Sequence, residues 1–306
     1  MKRPKLYFVS SCLILCFCSS TFFAQTQTQP SPAMQEALAF IQAQKWNEAA
    51  KAFEAITKSE PANGQAWMQL GVARHSLGEY AKAVDAYLKV PSLETRPRVM
   101  YNLACSYSRL KETDKALDWL NKSVTAGFTN LNLLNTDNDL TSLRENTKFK
   151  TIIETAERAA TPCMFRAENR QFDFWIGEWN VMNPQGQQVG TNSIQRIVDG
   201  CVIFENWIAG GGSNTGKSFN FYDPGKNKWR QVWVGNNGQP IDFEGDYKDG
   251  VMRYTSVSTG ANGQKILGRM TFFNLGTDKV RQLWETSTDE GKTWTVAFDG
   301  TYVRKK

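Results

Sequence analysis

Phe172-Asp173-Phe174-Trp175-Ile176-Gly177-Glu178-Trp179-Asn180-Val181 divides the chain. Ahead of it the sequence has helical periodicity and only four glycines; beyond residue 164 lie nineteen of the twenty-three glycines and seven of the ten tryptophans. Bulky strand formers punctuated by glycine turns make the second half all-β. The stretch therefore opens a second domain of different construction, and its aromatic run is what a closed sheet needs to plug one end. At 306 residues the chain suits two cores rather than one.

Working upstream, residues 1–24 carry a basic start (Lys2, Arg3, Lys5), an apolar centre from Leu6 to Phe17 and a small-residue end at Ala24. This is the plan of a secretory signal peptide, with residues 25–32 a polar linker. Its apolar run is too short to span a bilayer comfortably, so no stable membrane span is expected after cleavage. Cys16 and Cys18 are preceded by Leu15 and Phe17, not by the small residue that lipid attachment requires. Export to a periplasmic or extracellular location follows as the expectation. Removing three basic residues from the 36 leaves 33 against 30 acidic ones, a net charge of +3 that argues against a nucleic-acid partner.

Three cysteines then remain: Cys105, Cys163 and Cys201. In an oxidising compartment that permits one disulfide and one free thiol. Cys105 lies on an apolar helical face and reads as a buried small hydrophobe. Cys163 precedes the opening stretch and Cys201 follows the Asp199-Gly200 turn, so these two are expected to pair. A catalytic cysteine would need a base, and the chain's one histidine, His75, lies in the helical half.

Residues 33–160 repeat. Ala49, Ala83 and Ala116 fall 34 and 33 residues apart, each followed four residues later by Phe53, Tyr87 or Leu120. Trp67-x-x-Leu70-Gly71 and Met100-x-x-Leu103-Ala104 begin the second and third units. The pattern resembles three tetratricopeptide repeats, in which small residues let two helices approach and stacking buries what one hairpin cannot. Residues 126–149 and a helix over 148–160 look like the cap of such an array. The resemblance implies a protein or peptide partner in a concave groove, with Lys82 and Asn102 as candidate groove residues, or simple solvated positions. Trp46 and Tyr80 read as packing.

In the 161–306 half, alternation and turns predict ten strands near 177–183, 189–198, 201–208, 217–222, 228–235, 240–247, 251–258, 264–274, 279–287 and 293–304. Every connection is short, so the strands form antiparallel hairpins in a meander, most simply closed into an up-and-down barrel with no exposed edge. The fold class is thus α+β multidomain, a repeat solenoid followed by an all-β barrel. Gly177-Glu178-Trp179 and the ending Tyr302-Val303-Arg304 resemble lipocalin or related calycin barrels, which implies that Arg304 stacks on Trp179. The whole half is similar to an uncharacterised family of exported bacterial domains with a Phe-Asp-Phe-Trp-x-Gly-Glu-Trp opening, which implies no activity.

Lys228-Trp229-Arg230-Gln231-Val232-Trp233 and Lys279-Val280-Arg281-Gln282-Leu283-Trp284 share one pattern. Because strand faces alternate, Gln231 with Trp233 and Gln282 with Trp284 occupy one face, and the arginines the other. An inward Trp/Gln face makes an aromatic lumen with amide groups; an inward Arg face would suit an anionic head group; plain core tryptophans and solvated arginines are the third reading. Candidate ligand-binding residues are Trp179, Glu205, Gln231, Trp233, Gln282, Trp284 and Arg304. Ser287-Thr288-Asp289-Glu290-Gly291-Lys292-Thr293-Trp294 matches the Asp-box of sialidases, which implies a turn role for Asp289 and no catalysis.

The leading functional expectation is a non-enzymatic protein: repeats for protein contact and a barrel for a small apolar or amphipathic ligand. A barrel hydrolase or isomerase using Glu178, Glu205 or Glu285 is the enzymatic alternative, and a purely structural barrel the third. No Ser/His/Asp set is visible in the sequence, so no catalytic residue is assigned. The β half has no histidine, which disfavours haem and zinc, so no cofactor and no metal are expected. The Gly210–Gly216 loop joins two strands instead of opening a helix, so it lacks the phosphate-cradle mechanism and reads as a loop or barrel-mouth lid.

Overall fold

The computed structural model describes residues 30–306 except Ser213 and Ala261; the signal segment and most of the 25–32 linker fall outside the described residues. Three helical hairpins come first: α1 (Pro32–Gln42) with α2 (Trp46–Ser59), α3 (Gly64–Ser76) with α4 (Tyr80–Leu88), and α5 (Pro97–Arg109) with α6 (Thr113–Thr125). Ala49, Ala83 and Ala116 are fully buried, and Phe53, Tyr87 and Leu120 fill the space between helices. Gly71 shows why a small residue is needed, since a methyl there would collide with the Tyr87 ring. Asn63 caps α3 through its side chain to the Ala66 amide at 3.0 Å. The array ends in α7 (Leu131–Thr136), a 3-10 turn (Asn138–Leu143) and α8 (Thr147–Ala160), whose Phe149, Ile152 and Ala156 join the core of the third hairpin.

Two short helices, α9 (Pro162–Phe165) and α10 (Ala167–Arg170), and the 3-10 turn Asp173–Trp175 lead into ten strands. These are β1 (Gly177–Met182), β2 (Gln188–Ile197), β3 (Val202–Ala209), β4 (Thr215–Asp223), β5 (Lys228–Gly235), β6 (Pro240–Lys248), β7 (Val251–Thr259), β8 (Lys265–Asn274), β9 (Lys279–Ser287) and β10 (Thr295–Arg304). Each pairs antiparallel with the next, and β1 pairs with β10, closing the barrel. Closure leaves no strand edge for another chain to extend.

The aromatic run plugs one end. Phe172 and Trp175 are fully buried and stacked, centroids 4.9 Å apart, with Trp229 and Phe272 edge-on to Phe172. Gly177 has φ +145°, and a side chain there would collide with the Arg304 guanidinium. That bare backbone lets Arg304 lie over Trp179, 4.3 Å from its ring centroid, while donating to Ile176 O and Thr277 O. Trp179 Nε1 in turn donates to Trp175 O at 2.8 Å. The Gly-x-Trp spacing is therefore the seam where the first strand, the last strand and the plug meet. Cys163 on α9 is disulfide-bonded to Cys201 beside β3, and Arg170 donates to Gly200 O at 2.7 Å, so the connecting segment is fastened to the β2–β3 turn.

The Asp-box stretch forms a hairpin turn. Asp289 accepts from the Thr293 amide (2.9 Å) and hydroxyl (2.6 Å) and from Ser287, and these bonds hold its carboxyl down at about 2.

Candidate functional site: the barrel lumen

Alternation along β5 and β9 decides which face looks in. Gln231 and Gln282 are buried, and with Trp233 and Trp284 they line a cavity of about 660 Å³. Arg230 and Arg281 lie on the outer wall, Arg281 in a two-pronged pair with Asp299 (2.9 and 2.8 Å) and Arg230 near Asp242 and Glu244. An inward arginine face, and with it an anion-binding lumen, is thereby corrected: the outer arginines meet carboxylates on neighbouring strands.

The cavity has aromatic walls from Trp207, Trp233, Phe243, Trp284 and Phe298, and a polar lip that includes Asn214, Asn237 and Gln239. Glycines set the indoles into the wall. A Cβ at Gly216 would strike the Trp233 ring, and one at Gly190 would come within 2.5 Å of Trp207. With hydrogen at those positions the rings lie along the sheet rather than across the lumen.

A belt of polar side chains crosses the lumen. Glu205 on β3 sits opposite Ser218 on β4 in register and is 3% exposed. Its Oε1 accepts from Asn192 Nδ2 (2.7 Å) and its Oε2 from Ser218 Oγ (2.6 Å). Ser218 Oγ itself accepts from Asn220 Nδ2 (2.8 Å) and Gln231 Nε2 (3.2 Å), so its proton is left for the carboxylate. Asn192 also reaches Tyr302 Oη (3.4 Å), which donates to Gln282 Oε1, while Gln282 Nε2 lies 2.9 Å from Met270 Sδ. The belt draws on β2, β3, β4, β5, β8, β9 and β10. Burial pushes the Glu205 carboxyl up to about 7, with the bonds from Ser218 and Asn192 pulling the other way. Among the described residues, Gln231 Oε1, Asn192 Oδ1 and Trp284 Nε1 have no partner.

Of the candidate ligand residues, the structure gathers Glu205, Gln231, Trp233, Gln282 and Trp284 around the cavity. It sets Trp179 and Arg304 apart, at the closed end, where they seal the seam. Trp207, Tyr302, Asn192 and Ser218 were missed in the sequence; the alternation Ile203, Glu205, Trp207 on one face of β3 was the available signal. The three carboxylates proposed for catalysis do not converge. Glu178 bonds Ser193 on the outer wall, Glu285 pairs with Arg269 (2.7 and 2.8 Å), and Glu205 alone enters the lumen. A paired-carboxylate mechanism is corrected on that ground.

In the helical half, Lys82 lies on α4 with its ammonium on Glu79, and Asn102 on α5 bonds the Tyr87 hydroxyl. The 3-10 turn Asn138–Leu143 bonds to α3 and α5. His75 Nε2 meets Asp139 Oδ2 at 2.7 Å and its Nδ1 meets Ser106 Oγ at 2.8 Å. The structure thus assembles a Ser/His/Asp set, from residues 31 and 64 positions apart, that the sequence did not disclose. Ser106 is fully buried and donates to Asn102 O at 3.0 Å, so its hydroxyl is a structural bond and not a nucleophile. The hydrogen bond from His75 holds the Asp139 carboxyl below its ordinary range, with Arg109 adding to it. Neighbouring Asp137 accepts from Tyr101 (2.6 Å) and from the Asp139 amide (2.9 Å), and burial pushes the Cys105 thiol well up. The Cys105, Asp137 and Asp139 trio is internally bonded.

Two tetratricopeptide-repeat family profiles match the chain, over residues 34–97 and 97–126. The helical half carries tetratricopeptide repeats. No curated protein matches the chain significantly. Among solved structures, the crystal structure of MamA is 18% identical, covering 44% of this chain and 78% of its own, with a TM-score of 0.35. The type III secretion translocator chaperone SycD of Yersinia enterocolitica is 18% identical over 40% of this chain and 79% of its own, with a TM-score of 0.30. The TPR2B domain of yeast Sti1, solved as a complex with pHsp70, is 20% identical over 41% and 94%, TM-score 0.30. Among the described residues, no helix is long and apolar enough to cross a membrane.

Proposed function

We propose that the chain is an exported, non-enzymatic protein in which the repeats engage a protein or peptide partner and the calycin-like barrel holds a small amphipathic ligand. The observation that carries the ligand reading is the cavity of about 660 Å³, with aromatic walls and unpartnered amide and indole groups around a belt that includes Glu205. A buried polar atom without a partner costs about 1–3 kcal/mol, and a ligand that satisfies it recovers that cost. The repeats support a protein partner, because surfaces of this family are built for such contact. The Cys163–Cys201 bond supports an oxidising compartment, in line with the signal segment.

Titration of the full chain with the neutral dye N-phenyl-1-naphthylamine tests the ligand reading. Saturable, one-to-one fluorescence enhancement is expected, and Gly216→Val, which pushes Trp233 into the lumen, abolishes it while circular dichroism is unchanged. Absence of enhancement, or enhancement that persists in that folded variant, overturns it. A second reading, single-carboxylate proton transfer on a lumenal substrate, is favoured by the Glu205 carboxyl near 7. Turnover of a bound natural ligand, lost in Glu205→Gln with binding retained, would establish it.

A further inference from the structure

We propose that the lumenal ligand is an organic cation, an amine or amidine attached to an apolar body, with its charged nitrogen held by Glu205. The inference rests on the ligand reading above and names the chemistry that the walls select.

Among the described residues the lining has one carboxylate and no lysine, arginine or histidine, so Glu205 has no counter-charge of its own there. Each hydrogen bond it receives comes from a neutral donor, Asn192 and Ser218, and Ser218 is oriented toward it by two further donors. The belt is therefore directed to support an ionised carboxylate, while burial opposes one. A cation entering the lumen resolves that opposition. A carboxylate offers about four acceptor positions, and two are taken, which leaves two for the ligand.

Two buried amide oxygens near Glu205 are open acceptors, while Trp284 Nε1 in the cavity wall is an open donor. Gln231 Oε1 and Asn192 Oδ1 are both acceptors, both residues are more than nine-tenths buried, and neither oxygen has a partner. Gln231 lines the cavity and reaches Glu205 through Ser218 alone. A primary ammonium carries three donors and an amidinium four, which matches an acceptor-rich corner far better than a carboxylate, phosphate or hydroxyl ligand would. The aromatic walls add ring faces, from Trp207, Trp233 and Trp284, that attract cations and repel anions. On the Glu205 side of the lumen, electrostatic and hydrogen-bonding preferences thus agree, and the open Trp284 N–H is left to a polar atom on the ligand body.

The other titratable groups that face Glu205 are Tyr254 on β7 and Tyr302 on β10, whose hydroxyls burial pushes well above the usual phenol range. The elements against it from β2, β4 and β5 present Asn192, Ser218, Asn220 and Gln231, none of which titrates. Between pH 5.5 and 8 any change in cation affinity therefore reports on Glu205.

Calorimetric titration of the full chain at pH 8 with 4-phenylbutylammonium, 4-phenylbutanol and 4-phenylbutyrate, which share one apolar body, tests the inference. The ammonium is expected to bind at least about tenfold tighter than the alcohol, with the carboxylate weakest. Glu205→Gln brings the ammonium to the alcohol's affinity and leaves the alcohol unchanged; Glu178→Gln, on the outer wall, changes neither. The ammonium's advantage falls as the pH is lowered through 7. If the alcohol or the carboxylate binds as tightly as the ammonium, or if Glu205→Gln leaves the preference intact, the cation inference fails while the lumen remains a binding site. If none of the three binds and the neutral dye does not either, the ligand reading fails with it.

Discussion

The two halves each bury a cluster of carboxylate and amide groups, and the two clusters are partnered differently. Where the 3-10 turn Asn138–Leu143 meets α3 and α5, Asp137 and Asp139 are matched by Tyr101, His75 and Arg109. In the lumen Glu205 has donors but no cation, and Gln231 Oε1 and Asn192 Oδ1 have nothing. The carboxylates of the helical cluster are satisfied by side chains of neighbouring helices, whereas the lumen leaves specific amide oxygens open, at a cost to its own stability. The carboxyl shifts record the difference, with Asp139 held down by its partners and Glu205 pushed up by burial.

Several substitutions sharpen or break that contrast. The largest effect belongs to neither polar cluster: Cys163→Ser with Cys201→Ser releases a loop of 38 residues and is expected to cost about 4 kcal/mol by chain entropy. Chemical denaturation followed through the barrel tryptophans measures it, and an unchanged midpoint would mean that the connecting segment is not tied down by the bond. Next comes Glu205→Gln, which should stabilise the empty barrel at pH 8 by roughly 3 kcal/mol, the equivalent of moving a carboxyl from 4.5 to about 7. The sign follows from the raised folded value: stability is full below pH 4.5 and declines as pH rises toward 7, because the folded state holds the proton longer. Unfolding midpoints from pH 4 to 8 should slope downward in the parent and run flat in the variant; a destabilised variant at pH 8 contradicts the picture of an uncompensated carboxylate.

Gly71→Ala and Gly216→Ala form a matched pair, since both added methyls strike an aromatic ring. Tyr87 is locked in a filled core, so Gly71→Ala should cost about 2 kcal/mol. Trp233 has the cavity beside it, so Gly216→Ala should cost under about 1 kcal/mol while weakening ligand binding. Equal losses in thermal denaturation would mean that the lumen is packed as tightly as the helical core. A small effect is also expected of Asp139→Asn, under about 1 kcal/mol because the pairs with His75 and Arg109 are partly exposed and screened. With the Asp139 value lowered on folding, its contribution is present above the ordinary aspartate range and fades as pH falls through the folded value. Its acid-limb slope should therefore run opposite to that of Glu205.

Much of the fold was legible in the sequence. A 34-residue period needs only local residue types to be seen, and the strand boundaries expected from turns and alternation differ from the observed ones by at most two residues. The site was half legible. Alternation placed Gln231 with Trp233 and Gln282 with Trp284, but it gives two faces without saying which is inside. Depth along a strand is equally silent, which is why Trp179 and Arg304 shared a list with Glu205 although they seal the far end. The belt was hidden for another reason: Asn192 and Tyr302 are 110 positions apart, and only barrel closure brings them together. Ser106, His75 and Asp139 are likewise far apart in sequence, and only the packing of the 3-10 turn on α3 and α5 brings them together.

The most direct test of the central claim is native mass spectrometry of the full chain purified from its own host, compared with the same sample after denaturation. The account predicts a one-to-one complex whose excess mass belongs to a small molecule with a basic nitrogen and disappears on denaturation. A protein of bare mass in both spectra, from a sample whose barrel also binds no added dye, would contradict it.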